Sequence, residues 1–459
     1  MKKTIPLFIG LLFSSLLNGQ SITGTLPIFA NQMIQLKGFN GFQDYTIDSI
    51  SIDSIGNFSL NYTAADYGMG YLLSNDEKPF IIVLSGEDIV LKGEALSYTE
   101  TIKITEGQQN QWFRQYTQDY VKREQTLSAW NYLEKLYTSD SLFITHRSVL
   151  KNIRKEKQRI NNEEVAYLDK LPVNSYLKWY LPLRKLVKSI SVVVQYRQEE
   201  IPATRNALRQ INYADSRLYK SGLLKESIEN HLWFLENSSG SIDAVFAELN
   251  SSIDIILSQL KENESAYNEV TSYLLLLLEK QSLFTSAEYL AQKVLNETRC
   301  NITENVANQM EAYRKMAVGA IAPEIFFTPF TYFPVGVNAK KLSDLQADYF
   351  VVVFSAGWCT HCTQEMQELA TLYPSWKEKN VEIIMVSLDE NTTDFVQFAA
   401  PLPFISTTDY KKWDGIAATD YFVNNTPTYF LLNKKREIVL RPKDAKQINA
   451  WIHWVLNID

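Results

Sequence analysis

Residues Tyr349 to Met366, YFVVVFSAGWCTHCTQEM, constrain this chain more than any other stretch. Tyr349 to Phe354 is an apolar run rich in Val and Phe, too short to favour a helix, and it reads as a buried strand. Ser355, Ala356 and Gly357 break the run, and Trp358 leads into Cys359-Thr360-His361-Cys362. Helix formers follow, with Met366, Leu369 and Leu372 spaced to share one face. Two thiols therefore stand where a strand feeds the first turn of a helix. Unpaired N–H groups and the helix dipole at such a terminus favour an anion, so Cys359 is the expected thiolate. A fall of ~2 units in a thiol pKa corresponds to ~2.7 kcal/mol in favour of the charged form. Cys362, three residues on, shares the helix face and is placed to displace a partner from a mixed disulfide. The pattern predicts a redox centre.

Two other readings of the cysteine pair are weaker. A Cys-x-x-Cys pair is half of a zinc site, but the one remaining cysteine is Cys300, and neither a second such pair nor an HxxxH stretch exists. A structural disulfide is disfavoured by the tight loop and the helix-start context. Cys300, in Glu297-Thr298-Arg299-Cys300-Asn301, reads as an inert thiol, with an intermolecular bridge or a partner to the redox centre as alternatives.

The 459 residues are enough for roughly two to four domains. A net charge of −7 argues against a nucleic-acid partner, because phosphate contacts need clustered Lys and Arg. At the start, Lys2 and Lys3 precede an apolar stretch from Ile5 to Leu17 that ends near Asn18-Gly19-Gln20. Residues 1–20 thus read as a secretory signal peptide, with an uncleaved anchor as the alternative. Export to the periplasm or cell envelope agrees with a cysteine pair, since disulfides are made and remodelled there.

Residues 21–105 read as all-β, and this part resembles a small β-sandwich domain. Met33 to Lys37, Asn57 to Asn61 and Asp88 to Lys92 alternate apolar and polar residues, and glycines punctuate the runs. Residues 106–318 change to an α-helical signal of roughly six to eight helices, with Gly scarce and Leu, Lys, Glu, Gln and Tyr abundant. Trp112, Phe113, Tyr116 and Tyr120 fall at helical spacing, as do Val149, Ile153, Ile160, Val165 and Leu168. Pro172, Pro182, Pro202 and Ser238 to Ser241 are the expected breaks. Residues 319–459 alternate strands and helices and form the third, α/β part. Strands are expected at Val381 to Leu388 and near Ile405, a hairpin about Asn433 to Lys435, and a closing helix from Ala445 to Leu456.

Several ordered motifs in this last part resemble one family. WCTHC after a Val-rich strand, with Thr426-Pro427-Thr428 further on, resembles the thioredoxin superfamily, and more narrowly its TlpA/ResA group of envelope thiol–disulfide oxidoreductases. Gly319-Ala320-Ile321-Ala322-Pro323-Glu324-Ile325-Phe326 is similar to that group's opening, and Leu342-Ser343-Asp344-Leu345 to the segment before its first central strand. The resemblance covers residues 319–459 and implies an α/β thioredoxin-like domain. It also implies that Pro427 is cis and faces the cysteine pair, that Thr426 offers its backbone as a strand edge, and that Trp358 lies beside the substrate.

Thioredoxin itself carries a buried Asp near the end of its first strand, a position held here by Val353. In the ResA-like pattern the proton-handling residue is a Glu three residues after the second cysteine, which is Glu365. His361 resembles the His of isomerase-type and DsbA-type centres, where a partly charged imidazole stabilises the thiolate and makes the disulfide a better oxidant. The group itself points to a reductase served by a membrane thiol electron donor, so the direction of exchange stays open. No cofactor is expected beyond a Cys359–Cys362 disulfide, and the expected partners are cysteine-containing envelope proteins. A peroxidase is disfavoured because FSAGWC lacks the Pro and Thr such enzymes place before their reactive cysteine. A scaffold protein using the fold as an adaptor is the alternative function.

Overall fold

The computed structural model describes residues 19–296 and 302–456, so Cys300 and nearly all of the expected signal peptide lie outside the described residues. The chain divides into two compact units, Met1–Glu248 and Leu249–Asp459, and the division falls inside the helical stretch.

The first unit opens with strands β1 (Gln20–Thr25), β2 (Met33–Asn40), β3 (Gln43–Ser51), β4 (Asn57–Tyr62), β5 (Gly68–Leu73), β6 (Phe80–Leu84), β7 (Ile89–Lys92) and β8 (Lys103–Glu106). They form two four-stranded sheets, ordered β4-β1-β7-β8 and β3-β2-β5-β6. Alternation along each strand sends Ile22, Leu36, Leu60, Leu72, Ile82 and Leu91 into one shared core, which makes the pair of sheets a sandwich.

Six helices follow: α1 (Gln108–Ser139), α2 (Arg147–Lys170), α3 (Tyr176–Tyr196), α4 (Ile201–Arg209), α5 (Ser216–Tyr219) and α6 (Leu224–Ser238). α1 is fastened to the sandwich through the buried Asn110 amide, which donates to the Val83 carbonyl and accepts from the Val83 N–H, both at 2.8 Å. That side chain mimics a neighbouring strand and satisfies both backbone groups of a β6 residue.

Two expectations for these helices need correction. Pro182 does not end a helix but lies within α3. The apolar face of Leu177, Leu181, Val187, Ile190 and Val193 continues past it and is buried, so packing outweighs the backbone hydrogen bond that proline removes. On α2, Ile153 and Ile160 are buried, but Val149 and Val165 are exposed. The inward position beside Val165 belongs to Glu164, which accepts from Tyr116 Oη at 2.7 Å and pairs with Lys185. A buried carboxyl with two partners can occupy a core position that a hydrophobicity pattern gives to its neighbour.

α7 (Ile242–Leu260) spans the division between the units, and α8 (Glu264–Lys280), α9 (Phe284–Asn296) and α10 (Glu304–Lys315) belong to the second. Ten helices therefore fill the expected helical region among the described residues, more than the six to eight read from the sequence. None of the described helices is long and apolar enough to cross a membrane.

The rest of the second unit is β9 (Tyr349–Ser355), α11 (Thr360–Lys377), β10 (Val381–Ser387), α12 (Thr392–Ala399), β11 (Ile405–Thr408), α13 (Ile416–Asp420), β12 (Thr428–Asn433), β13 (Ile438–Leu440) and α14 (Ala445–Leu456). The sheet order is β11-β10-β9-β12-β13, with β9 at its centre. β9 runs parallel to β10 and antiparallel to β12. Because side chains alternate along a strand, Phe350, Val352 and Phe354 enter the core on one face while Val351 and Val353 enter the core on the other. Burial on both faces explains why β9 reads as a continuous apolar run. Met316, just after α10, joins the first of these cores. Arg441, just past β13, lies over the rings of Phe284, Tyr313 and Phe430 at 4.5, 5.0 and 5.4 Å, and so holds α9 and α10 to β12.

Candidate active site

The two cysteines sit at the carboxyl end of the central strand, where β9 gives way to α11. Ala356 is buried below the turn, Gly357 and Trp358 cross its top, and Cys359 is the N-cap of α11. Cys359 and Cys362 are joined by a disulfide with Cα atoms 5.2 Å apart. Cys359 Sγ also accepts the Cys362 backbone N–H at 3.2 Å, one of the donors a helix start leaves without a partner. The two sulfurs differ in access. Cys362 is wholly buried, whereas Cys359 is only partly so. The leading sulfur is the one an outside molecule can reach.

Opposite the disulfide, the Thr426–Pro427 peptide bond is cis. The Thr426 carbonyl oxygen lies 3.8 Å from Cys359 Sγ. Thr428 Oγ1 donates to the Asn425 carbonyl at 2.9 Å and ties the loop to the start of β12. Trp358, half exposed, meets Trp413 edge-on with centroids 6.1 Å apart, and the Lys412 ammonium stands 5.6 Å from its ring. His361 is exposed on the first turn of α11.

Glu365 is buried on the inner face of α11, where Oε2 accepts from Tyr429 Oη at 2.7 Å and from the Ala445 N–H at 3.0 Å. It thus joins α11 to β12 and to the start of α14. Burial, and next the Glu365 hydrogen bond, push the Tyr429 phenol well above its usual range, so it remains a hydrogen-bond donor. Tyr429 pairs with Val353 across the sheet. The strand position where thioredoxin holds its buried Asp therefore faces the partner of the residue expected to replace it.

A residue that the sequence did not single out anchors the turn. Asp389, just past β10 and fully buried, accepts the Gly357 N–H at 3.0 and 3.2 Å and the Ser387 hydroxyl at 2.7 Å. Only its position at the end of an apolar strand hinted at a role, because Gly357 lies 32 residues away. Asp389→Ala leaves the buried Ser387 hydroxyl and the part-buried Gly357 N–H without their acceptor, and the expected loss is about 2 kcal/mol of stability. A shift of the urea midpoint checks it, with Asp389→Asn, which keeps one acceptor oxygen, losing less.

Comparison with known proteins places this geometry. Residues 318–441 match the AhpC/TSA family model. The chain is 32% identical over 127 residues to the thiol-disulfide oxidoreductase ResA of Bacillus anthracis, covering 27% of this chain and 69% of that protein. The chain belongs to the TlpA/ResA group of the thioredoxin superfamily. It is a thiol–disulfide oxidoreductase of that group, with the group's domain at the carboxyl end of a multidomain chain. Among solved structures it is similar to a thioredoxin-like protein from Bacteroides caccae, at 16% identity and a TM-score of 0.43, covering 55% of this chain and 92% of that one. It is also similar to a thiol:disulfide interchange protein DsbE from Chlorobium tepidum, at 27% identity and a TM-score of 0.26, covering 31% and 99%.

Proposed function

We propose that this chain is an exported oxidoreductase that exchanges disulfides with cysteine-containing proteins of the cell envelope, with Cys359 as the attacking sulfur and Cys362 as the resolving one. The observation that carries this reading is the asymmetry of the pair: a reachable sulfur at the head of α11 bonded to a wholly buried neighbour, with the Thr426 carbonyl alongside.

In the reducing direction, the Cys359 thiolate attacks a substrate disulfide, forming a mixed disulfide and releasing one substrate thiolate. Cys362, losing its proton, then attacks Cys359 Sγ, closes the enzyme disulfide and frees the second substrate thiolate. Two electrons pass to the substrate, and the reverse sequence oxidises it. The potentials of the partner couples set the direction, and no cofactor beyond the cysteine pair enters the balance. A membrane thiol donor would return the pair to the dithiol. Glu365, three residues beyond Cys362, takes the resolving proton, while the Thr426 edge, Pro427 and Trp358 seat an extended substrate segment. His361 favours the Cys359 thiolate from the first turn.

Alkylation of the reduced protein across a pH series tests the assignment. Cys359 is expected to react with a midpoint below the ~8.5 of an ordinary thiol, and Cys362 to react slowly throughout. Two cysteines reacting alike, with an ordinary midpoint, would sink it.

A further inference from the structure

Beside the Thr426 edge lies a pocket of about 410 Å³ that the exchange reaction leaves unused. One wall is helical, with Leu275 and Leu276 from α8 and Ala312 and Tyr313 from α10, and the other is the turn carrying Phe422 and Asn424. The helical wall lies outside the 318–441 stretch that matches the family. Asn424 is two residues from Thr426, at most about 7 Å of chain, so one edge of the pocket lies within two residues of the Thr426 carbonyl. Its rim carries two exposed apolar side chains, Leu276 and Phe422, beside the exposed polar Asn308, Gln309 and Asn424. Leu276 is 60% exposed and Phe422 42% exposed. Phe422 has φ of +53°, a left-handed conformation uncommon for an aromatic residue, and the Lys315 ammonium stands 5.8 Å from its ring.

We infer that this pocket selects substrates by receiving a large apolar side chain, Leu- or Phe-like, two residues from the substrate's reactive cysteine. The inference rests on the exchange reading for where that cysteine sits. A substrate strand advances about 3.3 Å per residue, and residues two apart share a face. With its cysteine at Cys359 and its backbone beside Thr426, a segment therefore brings the residue two places along level with Asn424. Continuity with the Thr426 edge makes an extended polypeptide the occupant, and the helices α8 and α10 supply the selectivity.

The test uses the full chain and two short fluorescent peptides carrying Ser in place of the cysteine, with Phe or with Gly at the positions two residues away. Fluorescence anisotropy is expected to show the Phe peptide binding ~10-fold more tightly, as burial of one such side chain implies. Ala312→Trp, which fills the pocket, and Leu276→Lys, at its exposed rim, should each bring the ratio close to one. Far-UV circular dichroism confirms that each variant is folded. A wild-type ratio near one, or a ratio that survives both substitutions, overturns the pocket's role. Because the peptides carry no thiol, failure of the wild type to reduce a small disulfide would remove the exchange reading and leave the binding result standing.

Discussion

Cys359→Ser is expected to bring insulin-disulfide reduction down to the uncatalysed background, because a serine hydroxyl cannot form the mixed disulfide on which both steps depend. Cys362→Ser should behave differently. Its first step is intact and its second is missing, so partners accumulate covalently on Cys359. Non-reducing electrophoresis should show higher-mass species in Cys362→Ser that vanish with reductant and are absent from Cys359→Ser. A scaffold protein gives the opposite result, with both variants binding partners as the wild type does and neither trapping them. The burial difference between the sulfurs is what makes the two substitutions unequal.

Acidification should weaken the first unit through His231. This residue lies on the buried face of α6, with Nδ1 3.4 Å from Tyr213 Oη. Burial, and secondarily the charge of Arg209, push its pKa down to about 4. The unfolded chain takes up this proton below about 6.5, whereas the native state takes it up only near 4. Stability from this group is therefore fully present above about pH 6.5 and is lost as pH falls towards 4. The gap corresponds to a loss of roughly 3 kcal/mol. Urea midpoints followed from neutral to mildly acidic pH should fall across this window, and His231→Leu should flatten the slope. An unchanged slope in that variant would place the acid sensitivity elsewhere.

The legible parts of the chain were those whose determinants lie close together in sequence. The strand, turn and helix around Cys359 share a few consecutive residues, so their order is written locally, and the closing helix falls at Ala445–Leu456 as its spacing predicts. Thr426 and Pro427 stand out by resemblance rather than by spacing, since nothing between residues 362 and 427 marks them as neighbours of the cysteines. Asp389 and Trp413 were not legible, because their roles exist only once β10 and the residue 412–414 turn have packed beside the Trp358 turn. Pro182 and Glu164 misled for a related reason. A proline reads as a break, and a glutamate as solvent-facing, until tertiary packing supplies what each lacks locally.

The guanidinium of Arg441 has a bearing on how this enzyme is dissected. Two of the three rings around it, Phe284 and Tyr313, precede residue 319, as does Met316 of the adjoining core. A fragment cut where the recognisable family segment starts would strip that cation of two of its three rings and remove Met316 from the core on one face of the sheet. An expression boundary ahead of α7 keeps those layers together, so the smallest sound catalytic piece is larger than the motif that advertises it.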